Sequence, residues 1–391
     1  MATRVDPTLL KELKEYGAVG VEKCFNCGNC TAICPLTSDE YAFPRNMIRM
    51  VQVGQREKMT QSLDPWLCYY CGDCSVTCPK DANPGETMMA ARRWLTAQYD
   101  VSGHGADLYK SNKAVWKAVI GYALIPLVLL IVFHLTATLG LHSYGGIVTD
   151  RVDINAFAPT LWVWVIVLID FALLGVRLLR NVINMFQLTM GKKSGNEPIP
   201  RSVYISEFKT LLQNAFTQKR WKDCGENQEH WLKHIFLVSG YATMLVLIVG
   251  LLWWFQTDEI YPIYHPQRWL GYYAAIVLLY TSGASLLGRI HKEGQLYKFS
   301  HHTDWLFSAF LFVGTLTGIL LHVFRYAGWA WPTYIMYTVH CMILIAMLDT
   351  EVGIGKWTHM LYRPLATYFQ EVRAKAEEKT HELAGALAAA D

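Results

Sequence analysis

The 391-residue chain is long enough for two or three domains, and its formal net charge of +3 is too small to indicate a nucleic-acid partner. Hydrophobic residues make up 52% of the sequence. They are concentrated between residues 114 and 352, so that residues 1–113 have the composition of a soluble domain. The first residues show no basic segment followed by an apolar one. We therefore expect no cleavable secretory signal and a cytoplasmic N-terminal domain.

Eight of the ten cysteines lie in two motifs of the form C-x2-C-x2-C-x3-C-P, Cys24 to Pro35 and Cys68 to Pro79. Three thiolates at this spacing bind three corners of a [4Fe–4S] cubane, and the fourth cysteine normally binds the other cluster. The prediction for cluster one is Cys24, Cys27, Cys30 and Cys78, and for cluster two it is Cys68, Cys71, Cys74 and Cys34. Two zinc sites are the alternative, but four such close cysteines, twice over, with a following proline are not typical of zinc modules.

The segment between the two motifs shows no alternating strand pattern, and residues 86–99 have the pattern of a helix. Residues 1–113 are therefore predicted to form a helical domain with two [4Fe–4S] clusters rather than a small β-sheet ferredoxin.

Six apolar runs follow, and each reaches the length of about 20 residues that a membrane-spanning helix needs. They cover residues 117–140, 159–180, 232–255, 268–289, 304–325 and 331–350. Tryptophan and tyrosine occur near their ends, where aromatic side chains settle at membrane interfaces. The fold class is therefore predicted as all-α, with a six-helix transmembrane domain over residues 114–362.

Basic residues are concentrated in the loop after the second run, in the loop after the fourth run and after the sixth run. They include Arg180, Lys192, Lys193, Arg201, Lys209, Lys219, Arg220, Lys222, Lys292, Lys298, Lys356 and Arg363. The positive-inside rule places these loops, the N-terminal domain and the C-terminus in the cytoplasm of a prokaryotic cell. Residues 363–391 are predicted to form a polar cytoplasmic helix.

Several of the 13 histidines lie at membrane depth, where ionisable side chains are functional by default. His234 begins the third run and His359 follows the sixth, so both lie at the cytoplasmic level and suggest an inner haem b. His340 lies in the outer half of the sixth run, and His322 and His134 lie near the outer ends of the fifth and first runs. They suggest a second, outer haem b.

Nineteen residues separate His340 from His359. If helical throughout, they would span roughly 28 Å and leave the two side chains about 100° apart around the axis. The two haems would then lie in opposite leaflets. A break near Gly353 and Gly355 would realign the two histidines.

The cysteine domain resembles the small iron–sulfur subunit of heterodisulfide reductases. The membrane part resembles the cytochrome b subunit of those enzymes and the gamma subunit of respiratory nitrate reductases. The stretches that carry the membrane resemblance are Lys233 to Gly240, Thr317 to Arg325 and Lys356 to Pro364. The fusion of both parts in one chain resembles the membrane subunits of the quinone-interacting membrane-bound oxidoreductases of sulfate-reducing and sulfur-oxidising microbes.

This resemblance implies that His234 and His359 bind the inner haem. At the outer haem, Met244 stands where the gamma subunits have a histidine, and His340 matches the second ligand. The partner of His340 is therefore open between His322, Met244 and His134, with His322 preferred.

The resemblance also implies the function, which is to pass electrons between the quinone pool, haem b and the two clusters. Menaquinone or another quinone is the expected substrate. The expected partners are flavoprotein and iron–sulfur subunits of the same complex and adenylylsulfate reductase. The sequence has no glycine-rich flavin or nucleotide motif. We therefore expect the partner subunits to carry out the hydride chemistry.

Quinol chemistry also moves protons, for which Asp170, Asp349 and Glu351 are candidate carriers. The alternatives to this function are a subunit of a heterodisulfide- or trisulfide-reducing complex, and a membrane anchor without catalysis.

Overall fold

The computed structural model describes residues 4–38, 41–143, 145–191, 198–222 and 228–388. Within these ranges the chain folds into helices and forms no strand, apart from one isolated bridge between Ser38 and Tyr41. The predicted all-α fold class is confirmed. Cys224 and the basic pair Lys192 and Lys193 lie outside the described residues.

The N-terminal part consists of eight helices around one apolar core. They are α1 (Leu9–Glu15), α2 (Asn29–Ala32), α3 (Arg45–Val53), α4 (Arg56–Gln61), α5 (Asp64–Leu67), α6 (Asp73–Val76), α7 (Pro84–Tyr99) and α8 (His104–Lys110). Helix α7 is almost entirely buried, because the other helices pack around Met88, Trp94 and Leu95. This helix therefore forms the centre of the cysteine domain, and the helical pattern predicted for residues 86–99 is confirmed.

Thirteen further helices follow. They are α9 (Asn112–Thr138), α10 (Ile154–Phe157), α11 (Thr160–Thr189), α12 (Arg201–Ser206), α13 (Phe208–Thr217), α14 (Lys219–Lys222), α15 (Glu229–Val249), α16 (Leu252–Phe255), α17 (Pro266–His291), α18 (Gly294–Lys298), α19 (His302–Tyr326), α20 (Ala330–Glu351) and α21 (His359–Ala388). Helices α9, α11, α15, α17, α19 and α20 are long and apolar enough to cross a membrane. The chain thus has the helices of a multi-pass membrane protein.

The six long helices pack in the spatial order α9, α20, α19, α17, α15 and α11. Their outward faces carry exposed apolar side chains, such as Val128 and Ile131 on α9 and Ile169 and Leu173 on α11. In a membrane these faces meet lipid rather than water, which explains why so much apolar surface is left uncovered.

The third apolar run was predicted to reach residue 255, and this predicted C-terminal end was wrong. Helix α15 ends at Val249, and the short α16 begins at Leu252. Gly250 lies at the break, where a residue with low helix propensity ends the helix. The other five predicted runs match their helices to within a few residues at most ends, and α11 extends further, to Thr189.

The predicted break before His359 is present. Helix α20 ends at Glu351, and Gly353 has a φ of 93°, a left-handed conformation that favours glycine. A short 3-10 turn over Lys356–Thr358 then leads into α21. His340 and His359 therefore lie on different helices. Helix α21 runs without interruption across the boundary at residue 362.

The cysteine domain packs on the end of the bundle from which α21 leaves. Tyr362 of α21 is fully buried between Trp66 and Tyr99, with ring centroids 5.1 and 5.4 Å away. The Asn184 side chain of α11 donates to the backbone carbonyls of Gln98 and Tyr99 at 3.1 Å. This docking brings the cysteines to the same end of the bundle as α12, α13 and α14.

Candidate redox centres

The four cysteines predicted for cluster one lie near one another, since Cys24, Cys27 and Cys78 each act electrostatically on Cys30. Gly28 has a φ of 89° and turns the chain between Cys27 and Cys30 into α2. Burial raises the pKa of the Cys30 thiol, and the thiols of Cys24, Cys27 and Cys78 add to the rise because they lie close to it. Crowded thiolates repel one another unless a cationic centre lies between them, and an iron–sulfur cubane supplies that centre.

The second motif repeats this geometry. Gly72 has a φ of 92° and leads into α6. Burial raises the pKa of the Cys74 thiol, and the thiols of Cys68, Cys71, Cys30 and Cys34 add to the rise. Burial also raises the pKa of Cys71 to about 12. Cys34 thus lies near Cys74 of the second motif, and Cys78 lies near Cys30 of the first. The exchange of fourth ligands stays a prediction.

Backbone amides and a buried arginine hold the cysteine loops in place. The Tyr70 amide lies 3.3 Å from Cys68 Sγ, and the Ala82 amide lies 3.3 Å from Cys78 Sγ. Hydrogen bonds of this kind tune the reduction potential of a cluster. Arg92 is buried and donates to the carbonyls of Pro65 and Cys68, which fixes the start of the second motif.

A buried network of charges joins the cysteine domain to the bundle. Arg93 of α7 bonds Glu86 at 3.1 Å and Asp304 of α19 at 2.7 Å. Lys356 bonds the other oxygen of Asp304 at 2.9 Å. Tyr70, inside the second motif, donates to Glu86 at 2.7 Å. The network therefore reaches from the loop of cluster two to the turn that precedes His359.

His234 of α15 and His359 of α21 face each other at this end of the bundle. Their ring centroids are 5.9 Å apart, with an interplanar angle of 60°. His359 Nδ1 is hydrogen-bonded to the carbonyl of Lys356, which leaves Nε2 for a metal. Burial and the neighbouring His234 lower the pKa of His359 well below its ordinary value, so the ring is neutral, the form that binds metals. The inner pair predicted from the sequence is thus brought together.

The distance between the two rings fits an iron, but the space beside the rings does not fit a porphyrin. Two metal–imidazole bonds of about 2 Å each leave about 4 Å between the binding nitrogens, which a centroid separation of 5.9 Å allows. His234 Nδ1 is buried and has no hydrogen-bond partner within the described part of the chain. The space beside the rings is a cavity of only about 60 Å³, lined in part by Tyr69, Trp221 and Arg363. A porphyrin at this position therefore requires these side chains to move apart.

A much larger cavity of about 710 Å³ lies further out in the bundle. This volume is in the range of pockets that bind cofactors and other small molecules. Met244, His322 and His340 all contribute to its walls. His134 is not among the lining residues and packs instead on Phe157, at a centroid distance of 4.9 Å.

His340 is oriented by its neighbours on α19. Its Nδ1 lies 3.0 Å from Thr317 Oγ1, which leaves Nε2 free to bind a metal. A Cβ placed on Gly318 would lie 3.2 Å from His340 Cε1, so the glycine makes room for the ring. His322 lies four residues beyond Gly318, roughly 6 Å along the helix axis. Its Nε2 lies 3.2 Å from the hydroxyl of Tyr272.

The three candidate proton carriers have different surroundings. Asp170 Oδ2 is buried and has no hydrogen-bond partner among the residues that the structure describes. Asp349 lies close enough to Asp170 for the two carboxylates to repel each other. Glu351 accepts a hydrogen bond of 2.7 Å from the backbone amide of Lys356, so it stabilises the turn before His359. Among the three candidates, Asp170 is therefore the one whose buried oxygen has no hydrogen-bond donor in the described part of the chain.

Comparison with known proteins supports iron–sulfur clusters in the cysteine domain. The family model of a 4Fe-4S dicluster domain matches residues 16–82. A heterodisulfide reductase C-subunit-like protein of Archaeoglobus profundus is 29% identical over 121 residues, which are 30% of this chain and 64% of that protein. The match thus spans less than two thirds of the relative. No solved structure matches the chain. Two iron–sulfur motifs and six membrane-length helices make this chain an iron–sulfur electron-transfer protein with a membrane-helical part.

Proposed function

We propose that this chain is the membrane subunit of a quinone-linked oxidoreductase complex, similar to the membrane subunits of the quinone-interacting membrane-bound oxidoreductases. It passes electrons between a quinone in the membrane and soluble flavoprotein and iron–sulfur subunits, which exchange them with adenylylsulfate reductase. The observation that carries the proposal is the position of cluster two. Its cysteines lie in a domain that packs on the His234–His359 end of the bundle.

The proposed cofactors are two [4Fe–4S] clusters and two haems b. His234 and His359 would hold the inner haem, and His340 with His322 or Met244 would hold the outer haem in the larger cavity. A bound haem would supply reversible one-electron chemistry at each site. The protein residues would fix the imidazole orientation, through Lys356 for His359 and Thr317 for His340.

The proposed topology is a prokaryotic inner membrane with the cysteine domain and the C-terminus in the cytoplasm. The domain assignment is a cytoplasmic iron–sulfur domain over residues 1–113, a membrane domain over 114–362 and a helical tail from 363. Helices α12 and α13, which carry basic residues, pack against α21, and Trp221 of α14 stacks on Tyr69 of the cysteine domain. This common location supports the orientation that the positive-inside rule gives.

The inner histidine pair provides the test. In the purified chain, His234→Ala and His359→Ala should each remove the spectrum of one low-spin haem b and keep the iron–sulfur spectrum. His230→Ala is the matched control, because His230 is exposed and lies on the same helix one turn away. A wild-type chain that carries both clusters but binds no haem would refute the haem-linked function and would support an anchor role.

A second function is favoured by the relative from Archaeoglobus profundus, whose name refers to heterodisulfide reductase. In that case the chain would serve a complex that reduces a disulfide- or trisulfide-type substrate. Identification of the soluble proteins that copurify with the chain separates the two functions, since adenylylsulfate reductase would be found only in the first.

A further inference from the structure

Helix α13 leaves one of its faces uncovered. The side chains of Phe208, Leu212 and Phe216 are exposed, and that of Phe216 is 79% exposed. At 100° per residue these three positions fall within about 80° of the helix circumference, so they form one apolar stripe, here called the α13 stripe. Ile205 of the preceding helix α12 is exposed as well. Apolar side chains gathered on one exposed face indicate a surface that meets a partner or a membrane.

The opposite side of α12 and α13 is packed against the rest of the protein. Val203 is buried, and Leu211 packs against the apolar core that the cysteine domain shares with α21. The hydroxyl of Tyr368 in α21 donates to the carbonyl of Tyr204 in α12 at 2.7 Å. The α13 stripe therefore points outward from a helix whose other side is fixed to the fold.

The two ends of this helical pair contact the ends of two membrane-length helices. Tyr204 of α12 packs on Phe186 in the last turn of α11, with ring centroids 6.0 Å apart. At the other end, the indole of Trp231 in the first turn of α15 donates to the carbonyl of Thr217 at 3.1 Å. Helices α12 and α13 therefore bridge the ends of α11 and α15, at the level where membrane helices meet the lipid headgroups.

The apolar outer surface of the bundle continues up to the α13 stripe. Ile183 of α11 and Leu232 and Phe236 of α15 are exposed near the same ends of their helices. Lipid covers such side chains on helices that cross a membrane. Because α12 and α13 contact both helix ends, the α13 stripe extends this lipid-facing surface. A soluble protein could cover the stripe only by excluding lipid from the adjoining helix ends.

The charge of this segment is complementary to anionic lipid. Residues 201–222 contain five basic residues and one acidic residue. Lys209, Lys219 and Lys222 are exposed. Lys209 lies about 20° beyond Phe216 around the helix axis, so it flanks the α13 stripe. A lysine in this position lays its apolar stem along the stripe and places its ammonium group among the headgroups, where anionic lipids attract it.

We propose that α12 and α13 form a membrane-surface element of this protein. The α13 stripe inserts among the acyl chains of the leaflet on the side of the cysteine domain, and the neighbouring lysines bind anionic phospholipid headgroups. Lipid, and no soluble subunit, occupies this surface. Since α13 packs along α21, and Tyr362 of α21 docks between Trp66 and Tyr99, the lipid contact also holds the cysteine domain at the membrane surface. Lipid binding here requires only a membrane around the six long helices and is independent of haem and quinone.

Photocrosslinking identifies what covers the α13 stripe. The full chain is studied in membranes from cells that produce the whole complex. Leu212→p-benzoylphenylalanine and Phe216→p-benzoylphenylalanine each place a photoreactive ketone on the stripe, and mass spectrometry of the irradiated peptides identifies the adducts. We expect phospholipid adducts at both positions. Unchanged cluster iron in each variant shows that the chain is folded.

Two control positions calibrate the yield of lipid adduct. Gln213→p-benzoylphenylalanine is the matched control, because Gln213 is exposed on the same helix and lies about 100° from Leu212 around the axis. It should give several-fold less lipid adduct than Leu212. Leu173→p-benzoylphenylalanine, on the exposed face of α11, gives the yield for full contact with lipid. Adducts of the stripe with another protein or with a second copy of this chain, or a yield no higher than at Gln213, would overturn the membrane-surface element.

The headgroups of the adducts test the role of the lysines. We expect anionic phospholipids such as phosphatidylglycerol to be enriched over phosphatidylethanolamine at position 216 relative to position 173. Lys209→Gln combined with Lys219→Gln should remove this enrichment and leave the total yield of lipid adduct unchanged, because the acyl chains still cover the stripe. Equal headgroup composition at the two positions in the unmodified lysine background would overturn the binding of anionic headgroups.

Discussion

The cysteine domain and the membrane bundle assemble their candidate sites in opposite ways. In the domain, three of the ligands predicted for each cluster lie in one segment of seven residues, Cys24 to Cys30 or Cys68 to Cys74, and a left-handed glycine turns each segment. In the bundle, His234 and His359 come from helices that are far apart in sequence and meet only because α21 begins beside α15. Local spacing therefore determines the first kind of site, and tertiary packing determines the second.

The largest expected effect follows from the exchange of fourth ligands in the domain. Cys34→Ser should damage cluster two and Cys78→Ser should damage cluster one, because each cysteine lies beside the other motif. Each variant should lose about half of the cluster iron, since each cubane holds four iron atoms. Iron analysis and electron paramagnetic resonance of the reduced protein measure this loss.

Cys341→Ser is the control for these variants, because Cys341 lies in α20, far along the chain from both motifs. It should keep the full iron content. If Cys34→Ser instead removed the same resonance as Cys24→Ser, the exchange of fourth ligands between the two motifs would be wrong.

A second effect tests the contact between the two regions. Arg93 and Asp304 form an ion pair with side chains only 6% and 7% exposed. Removing one partner of a buried pair typically costs about 3–5 kcal/mol, because the other charge remains buried. Arg93→Met should therefore loosen the cysteine domain from the bundle. Thermal unfolding of the purified chain and proteolysis between the domains would detect the change.

Lys14→Met is the matched control for Arg93→Met. Lys14 pairs with Glu22 at 3.3 Å, but both side chains are nearly half exposed. Exposed pairs contribute about 0–1 kcal/mol, so this variant should unfold close to the wild-type temperature. Equal stability of the two variants would mean that the Arg93 network does not hold the domain in place.

The buried network also shows how far the sequence could predict the structure. The two cysteine motifs, the six spans and the break before His359 follow from spacing, apolar length and glycine, all of which are local signals. The pairing of Arg93 with Asp304 joins residues 211 positions apart, and no local pattern encodes it. Two signals were nevertheless present. Arg92 and Arg93 interrupt an otherwise buried helix, and Asp304 begins an apolar span.

The contact of Tyr69 with Trp221 was beyond sequence reasoning for the same reason. Trp221 lies in a polar loop segment where an interfacial aromatic residue is expected, and nothing nearby indicates a partner in the cysteine motif. The outer haem pair stayed open because residues on several helices reach one cavity. Met244, His322 and His340 all line it, and their depth along each helix depends on packing.

The choice between His322 and Met244 as the second ligand of the proposed outer haem tests the helix bundle and does not involve the cysteine domain. A methionine ligand raises the potential of a haem relative to a histidine. Met244→Leu should abolish the low-spin outer haem spectrum if methionine is the ligand, and His322→Ala should do so if histidine is. Redox titration of the wild-type chain distinguishes the two ligands independently, because a haem with a methionine ligand would have the higher reduction potential. A low-spin outer haem that survives both substitutions would reject both pairings.

The smallest expected effect concerns Asp170, which lies on α11 and has a buried carboxylate oxygen without a partner in the described part of the chain. A buried carboxylate that is not held by a hydrogen bond is able to take up and release a proton, and Asp349 is a second carboxylate close to it. Asp170→Asn should slow quinol turnover several-fold and leave haem and cluster spectra unchanged. Asp150→Asn, at an exposed loop position, is the control. Normal turnover in Asp170→Asn would exclude a proton role, and the carboxylate would then serve only the packing of α11 against α20.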